Sequence, residues 1–388
     1  MRLTHAMSPR QRVLTALNHQ EPDLVPLDFG TGGNTSPVPE LYSGLARQYG
    51  VEPDGPLLRH FLRLAVVDER ILQDLDIDTR PVYMGTVSRG VRLCTEPCAF
   101  YDDWGVKWKE IQAGGTVYRE LASSPLADAR VDDLQTYPWW PDPLDADRYV
   151  GVKEQAEHLY HETDFALVGC PGFNSIWERG WYLCGFEYML ESMALNLEFV
   201  HVLLRKMTDP CKAALGQYLS LVGPYLQVVK MSDDLGSQNG PLISPKTYRE
   251  VIKPYHKELF SFVKQFTDAR IFMHTCGSVY RLLPDLVEAG VEVLNPVQVS
   301  AKDMDTRRLK AEFGDRLSFW GGIDTQHILP HGTCDDVKRE VERRIADLAP
   351  GGGYVVAPVH NLQSDVSPEN VITMYQHARQ VGRYPLTS

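Results

Sequence analysis

His274 and Cys276 are the residues of this 388-residue chain whose types and spacing most directly allow chemistry. They close the run Ile271-Phe272-Met273-His274-Thr275-Cys276-Gly277, which reads as a buried strand ending in a glycine. Alternation along a strand sends residues i and i+2 to the same face. An imidazole and a thiolate aimed at one point form part of a ligand set for a borderline-soft divalent metal, with Zn2+ the first choice. The plainer reading is a His and a Cys that fill space, because free cysteine is among the most buried residue types.

Such a pair needs a frame that brings further ligands to it. Ser8 and Pro9 open a helix carrying Val13, Leu14 and Leu17 at helical spacing. Val25-Pro26-Leu27-Asp28-Phe29-Gly30 reads as a short strand, followed by a Gly/Thr/Asn-rich loop and a helix from Pro37 to Tyr49. From residue 149 onward strands and helices alternate. Strands are expected at 165–170, 226–234, 271–276, 291–296, 317–324 and 354–360, most of them followed by a helix. With the strand at Val25 that makes seven, and the eighth is not located.

Short apolar strands alternating with helices imply parallel strands covered by helices. Spacing of roughly thirty to forty residues fits βα units closing an α/β (β/α)8 TIM barrel. No G-x-G-x-x-G opens a helix and no phosphate-binding G-x-x-x-x-G-K-[ST] occurs, which argues against an open dinucleotide-binding sheet. Arg80 to Leu126 differs: Val82-Tyr83-Met84, Val91-Arg92-Leu93, 106–110 and 116–119 are short β-like pieces divided by Gly and Pro. They read as an antiparallel β-hairpin insertion near the N-terminus, a lid or rim over the core. The expectation is therefore one barrel domain over 1–388, with an N-terminal extension and a β-rich insertion at about 80–126.

Composition narrows the class. The chain is 43% hydrophobic and 23% charged, an ordinary globular balance. A formal net charge of -12 without a basic stripe disfavours nucleic acid. No apolar run nears the ~20 residues that cross a bilayer, and residues 1–21 lack the apolar core of a signal peptide. Seven scattered cysteines, an odd number, suit reduced thiols and a cytoplasmic protein. Cys94 and Cys98, with Pro97 between them, fit a surface turn better than a metal site.

In a βα barrel the site forms at the carboxyl ends of the strands. The polar residues there are Asp28, Cys170, Asp233, Asp234, His274, Cys276, Asn295, Gln298, Asp324, His360 and Asn361. Asp234, Asp324 and Asn361 have a bland alternative as caps of the following helix or loop. A catalytic zinc needs three protein ligands and an open position. His360 is the first choice for the third ligand and Asp234 the second; as a non-ligand, Asp234 would orient His274 through its free ring N–H. Trp177, Trp181 and Tyr182 follow the strand ending at Cys170 and suit an aromatic wall for a planar substrate, or equally packing at the barrel top or a dimer contact.

His274-Thr275-Cys276-Gly277-Ser278, Gly321-Gly322-Ile323-Asp324, 349–354 and Val359-His360-Asn361 ahead of Ser367-Pro368-Glu369-Asn370 resemble the uroporphyrinogen decarboxylase superfamily. Within it they resemble the corrinoid-dependent methyltransferase branch. The resemblance implies a (β/α)8 barrel. It also implies an Arg-rich loop after the first strand in the true decarboxylases, where this chain has Asp28-Phe29-Gly30-Thr31-Gly32-Gly33-Asn34 and no arginine. A polycarboxylate would find few cations here.

The methyltransferase branch implies a His-x-Cys pair, matched by His274 and Cys276, and a third ligand, often Cys, near the end of the last strand. No cysteine lies between Tyr354 and Pro368, so His360 would stand in. The implied activity is zinc-dependent transfer of a methyl group from a small O-methylated compound, aromatic ones included, or an N-methylated one, to cobalt. Asp234 and Asp28 would be the catalytic acids. Trp177, Trp181, Tyr182, Asn295, Gln298, Asp324 and Asn361 would line the substrate. No Asp-x-His-x-x-Gly segment for holding a corrinoid (cobalamin) occurs, so that cofactor would arrive on a separate corrinoid protein. A homodimer is allowed for. The competing readings are a cofactor-free, uroporphyrinogen decarboxylase-like decarboxylase and a non-catalytic binding barrel.

Overall fold

Short apolar runs flanked by helices bury both of their faces as parallel strands covered by helices, and in this chain those strands form a closed ring. The computed structural model describes residues 6–59, 63–87, 92–113 and 116–386. Its main sheet has seven parallel strands: β1 (Thr79–Tyr83), β2 (Ala166–Cys170), β3 (Val228–Ser232), β4 (Arg270–His274), β5 (Val293–Asn295), β6 (Ser318–Trp320) and β7 (Tyr354–Val355). Neighbours in space are neighbours in this order.

Residues 25–28 close the ring between β7 and β1. Val356 N donates to Pro26 O at 2.9 Å and Asp28 N to Val356 O at 3.0 Å, while Asp78 N donates to Leu27 O at 3.0 Å on the other side. The architecture is a TIM barrel. The eighth barrel position is Thr79–Tyr83, which pairs in parallel with Ala166–Cys170. Val82-Tyr83-Met84 therefore does not belong to the hairpin meander, as its sequence suggests. Arg80 and Pro81 interrupt the apolar run and hide it: the Arg80 side chain stacks on Phe165 and pairs with Glu69 at 2.7 Å.

The antiparallel insertion is a four-stranded sheet of Arg92–Leu93, Ala99–Tyr101, Lys107–Ala113 and Thr116–Ser123; Val91, expected to open its first strand, lies outside the described residues. A second, two-stranded antiparallel pairing joins Leu57–Arg59 to Leu64–Ala65.

One end of the barrel is plugged. Helix Pro9–Leu17 starts at Ser8, whose side chain accepts from Gln11 N in a capping box. It drives Val13 and Leu17 into the barrel interior beside Ala166, Val168, Val228, Val293 and Val355. Arg12 of the same helix is fully buried, bonds Asp23 at 2.8 Å and contacts Asp78; Arg379 reaches Asp78 from the last helix at 2.8 Å. The plugged end leaves the carboxyl ends of the strands as the mouth. Among the described residues no helix is long and apolar enough to cross a membrane.

Candidate metal centre

His274 ends β4, Asn295 ends β5, and the parallel register sets them side by side. His274 Nδ1 lies 2.6 Å from Asn295 Oδ1. The Asn295 amide nitrogen donates to Trp320 O at 2.9 Å, which leaves its oxygen to accept from the imidazole. That arrangement puts the proton on Nδ1 and the Nε2 lone pair toward the mouth. The orienting role expected of Asp234 thus belongs to Asn295, because strand register delivers Asn295 to the ring's inner nitrogen.

The strand stops at His274 rather than at Cys276. Thr275 N donates to Asn295 O at 2.7 Å, Cys276 N to Asp234 Oδ1 at 2.8 Å and Gly277 N to Gln298 Oε1 at 2.7 Å. Gly277 has φ +85°, and a Cβ there would lie 2.4 Å from the Gly236 backbone. This turn brings Cys276 Sγ to 3.3 Å from His274 Nε2. Convergence comes from the turn and not from strand alternation.

His360 arrives from the segment beyond β7, which Val359 N ties to Ile323 O at 2.9 Å. Its ring centroid is 5.6 Å from that of His274. One donor atom each from His274, Cys276 and His360 lies within 4.8 Å of the others. His360 Nδ1 contacts Asn361 Oδ1, so Nε2 is its nitrogen free for a cation. Asp234 Oδ1 is 3.9 Å from His274 Nε2, outside hydrogen-bond range, and is engaged by Cys276 N.

The electrostatics fit a cation. Burial lowers the pKa of His274 to about 4 and lowers that of His360, so both imidazoles are neutral near pH 7 and able to ligate. Burial pushes the Cys276 thiol well above its ordinary value, and the carboxyls of Asp234 and Glu178 push it further. A thiolate would be costly here without a positive partner, which a divalent ion held by His274, Cys276 and His360 would supply. Two neutral imidazoles and one thiol, with no fourth His, Cys or carboxylate grouped with them among the described residues, match a zinc site that keeps an open position.

The remaining expected residues divide. Trp177 is fully buried, and its indole N–H donates to Asp234 O at 3.0 Å, so it packs beneath the mouth and forms no exposed wall. Trp181 packs on Tyr182 (4.2 Å between centroids) and on Phe186 (5.4 Å), its indole nitrogen buried without a partner. Gln298 is engaged by Gly277 N. Asp324 Oδ1 accepts from Gln326 N (2.6 Å) and His327 N (3.0 Å), the capping arrangement that was its bland alternative. Asp28 lies a layer deeper: it accepts from Thr79 Oγ1 at 2.6 Å and from Trp320 Nε1 at 2.8 Å, and Trp320 packs on Phe272, two residues before His274.

Sequence reasoning passed over Glu178, although it lies between the two tryptophans in the segment that the structure shows as helix Trp177–Cys184. Burial and the neighbouring Asp234 carboxyl push its pKa up to about 8, and Tyr182 Oη donates to it at 2.6 Å. An acidic residue between aromatics just past a barrel strand was the available signal.

Comparison with known proteins gives the family. The family description "Uroporphyrinogen decarboxylase (URO-D)" matches residues 121–381, more than half of the chain. The chain belongs to the uroporphyrinogen decarboxylase family. Within that family its relatives support the corrinoid-dependent methyltransferase branch. A methylcobamide:CoM methyltransferase (MtaA) of Methanosarcina barkeri is 29% identical over 161 residues, covering 40% of this chain and 45% of the relative. A methylated-thiol–coenzyme M methyltransferase of Methanosarcina mazei is 25% identical over 199 residues, covering 51% of this chain and 50% of the relative. The matched stretches thus span about half the length of these curated relatives or less. A solved structure of a methyltransferase from Methanosarcina mazei superposes with a TM-score of 0.64 at 18% identity, covering 96% of this chain and 99% of the other, which shows the shared fold.

Proposed function

We propose that this member of the family is a zinc-dependent methyltransferase. His274, Cys276 and His360 hold the metal, and the methyl group passes from a small O-methylated or N-methylated substrate, aromatic ethers included, to the cobalt of a partner corrinoid protein docking at the mouth. The observation that carries this reading is the convergence of two imidazole nitrogens and one thiol within 4.8 Å at the open end of the barrel. Bound there, zinc would act as a Lewis acid on the heteroatom that bears the methyl group. Asn295 fixes the tautomer of His274, and Asp234 fixes the backbone of Cys276 by accepting its N–H. The activities of the two Methanosarcina relatives support methyl transfer as the reaction class.

A cofactor-free decarboxylase is the second reading, favoured by the family description and by a uroporphyrinogen decarboxylase of Legionella pneumophila that is 22% identical over 267 residues, covering 67% of this chain and 70% of the relative. Against it stand the arginine-free loop 28–34 and the net charge of -12, which suit a polycarboxylate poorly. The test is metal analysis of protein purified without chelators, followed by methyl transfer to a reduced corrinoid before and after chelation. About one equivalent of zinc and loss of transfer on its removal are expected. Metal-free protein that turns over uroporphyrinogen would overturn the reading.

A further inference from the structure

Glu178 has no task in the metal reading, yet more of the fold is committed to holding it than a surface acid needs. Asp233, just beyond the end of β3, accepts from Ile176 N at 3.0 Å, Glu178 N at 2.7 Å and Ser175 Oγ at 2.7 Å. His256 Nε2 meets Asp233 at 2.9 Å, and Tyr248 Oη meets His256 Nδ1 at 3.0 Å. Tyr248 opens a π-helical turn (Tyr248–Ile252), a form that recurs at functional sites. The barrel therefore fixes the backbone of Glu178.

The insertion fixes its side chain. Tyr182, one turn later in helix Trp177–Cys184, donates to Glu178 Oε1 at 2.6 Å. Trp108 of the insertion packs edge-on against the Tyr182 ring at 5.0 Å, and Asp102 pairs with Arg179 at 3.0 Å. The helix that carries this carboxyl starts on the segment that also holds Cys276: Trp177 Nε1 donates to Asp234 O at 3.0 Å, and Cys276 N donates to Asp234 Oδ1 at 2.8 Å.

We propose that Glu178 is the proton donor to the heteroatom from which the methyl group leaves. The inference rests on the methyl-transfer reading of the same site. The balance is complete: the bond between heteroatom and carbon breaks with its electron pair left on the heteroatom, Co(I) of the partner supplies the pair for the new carbon–cobalt bond, and the heteroatom takes the carboxyl proton of Glu178. The product is an alcohol, phenol or amine and a glutamate anion that solvent reprotonates.

Asp234 is placed worse for this task, since its Oδ1 is held by Cys276 N. Burial is the largest influence holding Glu178 in its neutral form, and its charged and polar neighbours act in both directions. Asp234 and Asp233 oppose ionisation, whereas the Tyr182 hydrogen bond and Arg179 favour it; Arg179 is tied to Asp102, and His256 faces Asp233 on its far side.

Two measurements test this on zinc-loaded protein. The first is the infrared difference spectrum between pH 6 and pH 9. A carboxylic-acid carbonyl band that fades across this interval in the wild type and is missing from Glu178→Gln is expected. Tyr182→Phe, which removes a bond favouring the anion, should move the fading to higher pH. A wild type without the band overturns the proposal.

The second is transfer from ring-substituted methyl phenyl ethers to free cob(I)alamin. The deficit of Glu178→Gln should grow with the basicity of the departing phenol, reaching on the order of a hundredfold. A deficit independent of the phenol, or none, overturns the proposal. Failure of the wild type to transfer from any ether or methylated amine, with the infrared band still present, would bring down the methyl-transfer reading and this inference with it, and is thereby told apart from a misassigned proton.

Discussion

Asn295 Oδ1 stands 2.6 Å from His274 Nδ1, and the Asn295 amide nitrogen is held in turn by Trp320 O on the next strand. Three successive strand ends of the barrel thus decide which imidazole nitrogen faces the mouth. An imidazole locked in this way loses little freedom when it takes a metal, and partners of this kind are worth ten- to a hundredfold in affinity.

Asn295→Ala should therefore weaken zinc binding by about ten- to a hundredfold while the three donors remain. Competition against a chromophoric chelator measures it. An unchanged dissociation constant would show that the contact does not orient a ligand.

Removing zinc should lower thermal stability as well as activity. A ligand at about a hundred times its dissociation constant stabilises the folded state by about 2.7 kcal/mol. The melting temperature of the wild type should fall on chelation, and His274→Ala, Cys276→Ala and His360→Ala should each abolish that response. Calorimetry with and without chelator reads it directly.

Burial lowers His274 to about 4 and lowers His360 in the folded, metal-free protein. Between about 4 and the ordinary histidine value near 6.5 the unfolded chain binds more protons than the folded one, so stability rises with pH across that window and is lost as pH falls through it. Urea midpoints of zinc-free protein should be lower at pH 4.5 than at pH 6.5, with a shallower slope in His274→Ala. Equal slopes in the two proteins would contradict the assignment.

The buried cation at the plugged end gives a stability prediction far from the mouth. Arg12→Ala leaves Asp78 with Arg379 as its remaining guanidinium partner and removes a fully buried side chain. Breaking a buried pair from one side costs about 3–5 kcal/mol. The urea midpoint should drop accordingly, with the zinc stoichiometry of the folded fraction unchanged.

Local signals in the sequence were legible because they depend on neighbours in the chain. Ser8, Ser244 and Ser367 cap helices, each accepting from a backbone N–H three residues on. The alternation of apolar strands and helices pointed to a closed parallel barrel, and His274 and Cys276 announced themselves by type and spacing. What the chain could not disclose locally was partnership. Thr79–Tyr83 carries an arginine and a proline and looks like the hairpin pieces that follow it; only closure of the ring against Ala166–Cys170 makes it a barrel strand. The neighbour that orients His274 is Asn295 and not Asp234, because register between β4 and β5 decides it.

The sequence by itself determined the types of the donor groups and the kind of frame that carries them. The tertiary structure decided which of these groups meet. His360, more than eighty residues beyond Cys276, reaches the same point through the last strand, and Glu178 reaches its neighbourhood through a helix anchored on Asp233. Periodicity is a property of the local backbone, whereas convergence depends on how far the barrel turns between one strand and the next.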